Sequence, residues 1–364
     1  MECDAVTLHA LELIAKSMVA AGKGLLAIDE STSTCNKRFA RWGIPQTAES
    51  HRQYRQLIVD TPGLHEAISG AILYDETIRQ KKDDGTPFAT ALAAAGIVPG
   101  IKVDLGAKAM AAFPGEQVTE GLDGLRGRLE EYASMGARFA KWRAVFTIGN
   151  GTPSRGCVEA NAHALARYAG LCQEAGLVPV VEPEVLMEGE HTLEVCGEVT
   201  ERVLRAVFAA LHLQRVQLEG MLLKPNMVLP GLSCQRQASV EEVASATISC
   251  LLRSVPAAVF GVVFLSGGQT GELASARLNA MHVRYGSSMP WEVSFSFGRA
   301  IQEPALEIWH GEQANEVAAQ EAIYHRAKCD GAARLGSYDA AVEAKHRVRV
   351  VNGVAAEEYA GSAR

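Results

Sequence analysis

The chain has 364 residues with 35 Lys and Arg against 42 Asp and Glu, a formal net charge of −7, which argues against a general nucleic-acid binder. At 48% hydrophobic and 21% charged residues, the composition lies far from that of disordered chains and supplies enough apolar material for a large core. The eight cysteines include no pair at the two-residue gap of a zinc or redox motif, as suits a reducing compartment.

In chain order, the first element is an amphipathic stretch with Leu8, Leu11, Ile14, Ala15 and Met18 at helical spacing, rather than a basic leader before an apolar block. Eight short β-branched and apolar runs follow, at 24–29, 70–75, 100–104, 139–145, 178–185, 220–226, 261–268 and 291–298. Intervening stretches such as 157–175, 194–211 and 240–253 carry apolar residues at three- and four-residue steps, as crossover helices do. Extra length lies between the first two runs, and 317–329 reads as a helix after the last. From Gly331 onward the periodicity weakens. The longest apolar run, 257–265, is far shorter than the ~20 residues a bilayer crossing takes. The expectation is a cytoplasmic α/β protein without a membrane partner. Its fold is a single (β/α)8 TIM barrel over 1–335, rather than a doubly wound sheet with a second domain, followed by a mobile tail over 336–364.

Barrel strands normally fill their inward face with Val, Ile and Leu, and residues two apart share that face. Here Lys102 and Asp104, Lys141 and Arg143, and Glu182 and Glu184 are each two apart on a strand. Asp29 closes the first run and Lys224 sits late in the sixth, so ionisable groups gather toward the C-terminal end of the barrel, where active sites lie in this fold. Such charges are either solvated strand ends and structural ion pairs or a functional mouth, and their recurrence at equivalent depth favours the mouth. Lys224 follows three apolar residues and precedes Pro225, which holds it extended in an apolar setting. Desolvation and a cation such as Lys141 would favour the neutral amine that attacks a ketone. Losing water from the resulting carbinolamine needs a carboxyl group that can hold a proton. Glu182 and Glu184, raising each other's proton affinity, are placed for this, and Asp29 offers a second base. For Glu184 an ion pair with Lys141 or Arg143 is the competing role.

Two further groups suit anions. Ser266, Gly267 and Gly268 leave the seventh run, and Arg299 follows the eighth, where barrels of this class cradle phosphate. Ser31, Thr34, Lys37 and Arg38 follow the first run and offer hydroxyls and two cations to a second anion, although Ser31 or Thr32 could equally be an ordinary helix cap. The ten histidines never fall two to four residues apart, which argues against a metal site, and no cofactor is expected.

The segments 22–31 (Gly-Lys-Gly-Leu-Leu-Ala-Ile-Asp-Glu-Ser), 141–143 (Lys-Trp-Arg), 181–184 (Val-Glu-Pro-Glu), 222–227 (Leu-Leu-Lys-Pro-Asn-Met) and 265–269 (Leu-Ser-Gly-Gly-Gln) resemble, in order, the signatures of class I fructose-bisphosphate aldolase. The resemblance runs from about residue 8 to about residue 338. It implies that Lys224 forms a Schiff base with the ketose, that Glu182 handles the protons of dehydration, and that Asp29 takes the proton of the carbon-4 hydroxyl. It implies charge-balancing roles for Lys141 and Glu184, with Arg143 and Lys102 lining the mouth. Ser266, Gly267 and Arg299 would hold the carbon-1 phosphate, and Ser31, Lys37 and Arg38 the far end of a sugar bisphosphate.

The family commonly forms homotetramers and often has serine where Thr34 stands. Many members end in a tyrosine that assists the enamine, whereas here Tyr359 precedes Arg364. Alternatives are a class I aldolase preferring sedoheptulose 1,7-bisphosphate or fructose 1-phosphate, a pyridoxal-phosphate enzyme, and a non-catalytic sugar-phosphate scaffold.

Overall fold

A computed structural model describes residues 5–344. Eight parallel strands close into a barrel in which chain neighbours are also spatial neighbours. They span Gly24–Ala27, Ile68–Leu73, Val98–Lys102, Phe139–Phe146, Val178–Val185, Leu222–Leu223, Gly261–Phe264 and Glu292–Phe297, and are named β1 to β8 below. Each falls on one of the eight apolar runs. The β6 strand is shorter than its run because Pro225 lacks an N–H for the ladder and the turn Leu218–Gly220 precedes it.

Helices Arg155–Glu174, Leu193–Leu213, Val240–Ser254 and Gly271–Tyr285 cross over outside β4 to β8, each started by a Ser or Thr cap. The 30–69 insertion forms helices Thr32–Arg41 and Ala48–Val59. A two-stranded hairpin, Ala107–Ala109 with Gln117–Thr119, interrupts the crossover after β3; no period-2 pattern signals it in the sequence. The helix expected at 317–329 runs Glu316–Arg334, longer at its C-terminal end, and Ala340–Ala344 adds a short turn. Residues 345–364, with Tyr359, lie outside the described part of the chain.

One apolar cluster joins the N-terminal helix Ala5–Met18 to the barrel interior: Leu11, Ala15 and Met18 pack with Leu25, Ile72, Phe139, Val180, Leu222 and Val263. The helix thereby closes the N-terminal end of the barrel and leaves the C-terminal end open. Gly100 makes room for this core. A Cβ there would lie 2.2 Å from the Phe139 ring, so only glycine lets Phe139 fill the interior.

Candidate active site

The open end of the barrel is a cavity of about 1070 Å³ lined by the loops and last residues of the strands. Lys and Arg outnumber Asp and Glu among its lining residues, eleven to eight, although the whole chain is acidic. Strand register explains the inner layer. Lys102 on β3 stands beside Lys141 on β4, and Arg143 beside Glu182 on β5, so charges from adjacent strands meet at one depth.

Lys224 follows β6, its backbone N–H donating to the Val181 carbonyl at 2.8 Å. Its Nζ lies 3.0 Å from Glu182 Oε1, and Lys141 Nζ lies 3.0 Å from Glu182 Oε2. Lys141 also meets Asp29 Oδ2 at 2.7 Å. The Lys224, Glu182 and Lys141 side chains are at most 5% exposed, and Asp29 is 12% exposed. Burial alone would push the Glu182 carboxyl up, but Lys141, Lys224 and Arg143 more than offset this and hold it below its usual range. Burial and the three ammonium groups of Lys141, Lys224 and Lys102 oppose one another in the same way at Asp29, and the lysines prevail, keeping it well below the carboxylate range. Burial works against the Lys141 charge, yet Asp29 and Glu182 raise its pKa far above that of a free lysine.

The expectation that Glu182 and Glu184 raise each other's proton affinity does not hold for Glu182, because cations from neighbouring strands surround it. Glu184 is taken by Arg143, with Nε to Oε2 at 2.5 Å. Of its two foreseen partners it therefore has Arg143 rather than Lys141. Asn226 braces this edge by accepting from the Val185 N–H at 2.9 Å. Lys102 pairs with the buried Asp104 at 2.6 Å, and Asp104 Oδ2 also accepts the Arg143 N–H at 3.2 Å.

At one end of the cavity, Ser266 and Gly267 line the wall after β7, facing Gly298 and Arg299 at the start of helix Arg299–Trp309. Gly267 has φ +59° and Gly268 φ +90°, left-handed values that let the backbone turn tightly there. Gly268 is not a lining residue; it packs behind, where a Cβ would stand 3.2 Å from Arg299 Nη2. At the other end, Ser31 caps helix Thr32–Arg41 by accepting from the Thr34 N–H at 3.4 Å, and both residues line the cavity. Lys37 and Arg38 also line it but differ in kind. Lys37 forms no ion pair among the described residues, whereas Arg38 Nη1 lies 2.5 Å from Glu30 Oε1. Arg55 holds the other oxygen of Glu30 at 2.7 Å. Glu30 was not singled out in the sequence, because its partner Arg55 is 25 positions away. Ser296 was also missed: it is buried on β8, lines the cavity, and its Oγ has no hydrogen-bond partner among the described residues.

A family model described as fructose-bisphosphate aldolase class-I matches residues 10–358. The chain belongs to the class I fructose-bisphosphate aldolases. It is 58% identical over 334 residues to the probable fructose-bisphosphate aldolase class 1 of Xanthomonas campestris, covering 92% of this chain and 99% of that protein. It is 50% identical over 317 residues to the cytosolic fructose-bisphosphate aldolase 6 of Arabidopsis thaliana, covering 87% and 88%. The solved fructose-bisphosphate aldolase of Plasmodium falciparum superposes with a TM-score of 0.90 at 45% identity, covering 92% of this chain and 96% of that one.

The class I aldolase mechanism runs through a lysine Schiff base, which accords with a barrel mouth built around buried amines. Among the described residues, one group could hold a metal: His325, Cys329 and Glu343, whose ligand atoms lie within 4.8 Å of one another. It is not part of the cavity, and Arg326 and Tyr338 already donate to the Glu343 oxygens at 2.7 and 2.8 Å. No helix among the described residues is long and apolar enough to cross a membrane.

Proposed function

We propose that this aldolase cleaves and re-forms fructose 1,6-bisphosphate, with Lys224 as the imine-forming residue, acting in the cytosol as a homotetramer. One observation carries the proposal: Lys224 Nζ stands 3.0 Å from Glu182 Oε1 at the floor of a cavity with anion-suited groups at both ends. At rest Lys224 faces an ionised Glu182. Passing one proton from ammonium to carboxylate yields both the neutral amine that attacks carbon 2 and the acid that protonates the departing hydroxyl. Water leaves, the iminium forms, and Glu182 is ionised again. Asp29, held by Lys141, accepts the carbon-4 hydroxyl proton as the bond between carbons 3 and 4 breaks. The bonding electrons move to the iminium nitrogen and leave an enamine, and the aldehyde product departs. Protonation of the enamine at carbon 3, balanced by loss of the proton that Asp29 had taken, and hydrolysis of the imine then release the ketone and restore the amine and the carboxylate. Ser266, Gly267 and Arg299 hold the carbon-1 phosphate, Lys37 and Ser31 attract the far one, and Lys102, Arg143 and Glu184 frame the mouth.

The pairing of Arg38 with Glu30 is the one observation that favours a ketose with a single phosphate, since it engages one cation of the far end, although Glu30 is shared with Arg55 and Arg38 still lines the cavity. Steady-state cleavage of fructose 1,6-bisphosphate, sedoheptulose 1,7-bisphosphate and fructose 1-phosphate in the presence of a chelator decides between these substrates. The highest kcat/KM is expected on fructose 1,6-bisphosphate. A higher value on either other sugar transfers the assignment to it, and loss of all activity in chelator would sink the imine mechanism.

A further inference from the structure

Behind the loop 265–269 lies a buried cation that the reaction scheme does not use. Arg277, on helix Gly271–Tyr285, is 7% exposed, and it enters no ion pair among the described residues. Its Nη1 donates to Gln269 Oε1 at 2.7 Å, and its Nε has no hydrogen-bond partner among the described residues. Gln269 is itself buried, and its Nε2 donates to the Ser266 carbonyl at 2.8 Å. A chain of two hydrogen bonds therefore links the guanidinium to the backbone of a residue in the cavity wall. A guanidinium does not lose its proton in a protein, so burial without a carboxylate leaves a full positive charge uncompensated by its neighbours. Burial pulls its pKa down, the mark of a charge that lacks a counter-ion.

We infer that Arg277 is a positioning residue of the anion site: through Gln269 it fixes the 266–267 backbone, and its charge is balanced by the substrate's phosphate rather than by the protein. This rests on reading that loop as the cradle of the carbon-1 phosphate. The arrangement has a directional consequence. The amide of Gln269 is oriented from behind, with its oxygen toward the cation and its nitrogen toward the Ser266 carbonyl, so the loop presents its outer face to the cavity while the cation adds positive potential beneath it. An empty site leaves the guanidinium unbalanced, and a phosphate dianion on the loop relieves it. A neutral ketone without phosphate gains nothing from either effect.

The test compares borohydride trapping on Lys224 with dihydroxyacetone phosphate and with dihydroxyacetone, which differ only in the phosphate. For Arg277→Met, the half-saturating concentration of the phosphorylated ketone is expected to rise about tenfold, a charge-assisted contact being lost, while that of dihydroxyacetone stays within about twofold. Gln269→Glu keeps the packing of Arg277 but supplies a local counter-ion, and it is expected to weaken the phosphorylated ketone selectively as well; it serves as the test should Arg277→Met fail to fold. Arg299→Met is the control for the cradle itself. If Arg299→Met impairs the phosphorylated ketone selectively while the folded variants of Arg277 and Gln269 do not, the inference about Arg277 is overturned and the cradle stands. Equal weakening of both ketones by Arg277→Met would mean a merely structural role and would also overturn it. If Arg299→Met does not discriminate between the ketones, the cradle reading falls and takes the inference with it.

Discussion

Glu182 lies between two ammonium groups, and its chemistry follows from that position more than from its being a carboxylate in a barrel. A group held ionised by Lys141 and Lys224 is not a standing acid; in the proposed mechanism it becomes one by taking the Lys224 proton, which also frees the nucleophile. Glu182→Gln keeps the size and removes the shuttle. We predict a fall in kcat of about 10²- to 10⁴-fold, measured by steady-state cleavage, with a smaller effect on substrate affinity; a kcat within threefold of the parent would remove Glu182 from the proton path. The residue types of this cluster were legible in the sequence because charge two apart on a barrel strand is costly without a purpose. The sign of the Glu182 perturbation was not, because Glu182 and Glu184 stand two apart in the sequence, whereas Lys141 and Lys224 come from neighbouring strands and outweigh burial. For Arg38, spacing showed a cation near Lys37 but not its pairing with Glu30, which Arg55 also holds.

Among the elements, the strands were legible and the irregular connections were not. Each apolar run became a barrel strand because its alternation and its bounding Gly, Pro and polar residues are local signals. The hairpin of Ala107–Ala109 with Gln117–Thr119 sends no such signal, being held by docking onto the next crossover, where Asn161 accepts from the Thr119 N–H at 3.1 Å. Close packing between β3 and β4 gives a prediction at this scale. Gly100→Ala would drive a Cβ into the Phe139 ring and is expected to destabilise the barrel by about 1–3 kcal/mol in chemical denaturation. Phe139→Leu should relieve part of that penalty in the double variant, giving a non-zero coupling. Strictly additive losses would mean that the ring is free to move aside.

Across the molecule, the last long helix is tied to the barrel by buried charge far along the chain from the site. Asp330 is fully buried, with Oδ1 accepting from Ser275 Oγ at 2.5 Å and Oδ2 without a hydrogen-bond partner among the described residues. Burial pushes its carboxyl up to about 7, against the pull of Arg326 and Ser275. An unfolded aspartate titrates near ~4, so between these values the folded chain holds a proton that the unfolded chain has released. The stability contributed by this group is therefore present in full below pH ~4 and is lost as pH rises through about 7. Asp330→Asn stays neutral throughout. Its melting temperature relative to the parent is expected to increase between pH 5 and pH 8, and an unchanged difference would show that Asp330 does not titrate in that range. Charge also acts on the molecule as a whole. A net charge of −7 coexists with a cavity richer in cations than anions, so KM for a bisphosphate should rise between 20 and 300 mM salt, by about severalfold, as screening weakens that local field.

The most direct test of the central claim is borohydride reduction in the presence of dihydroxyacetone phosphate and a chelator, followed by peptide mass spectrometry. A stable adduct on Lys224, absent from Lys141 and Lys102, is the predicted result. An adduct on another lysine, or none while cleavage activity persists, would contradict the assignment of Lys224 as the imine-forming residue.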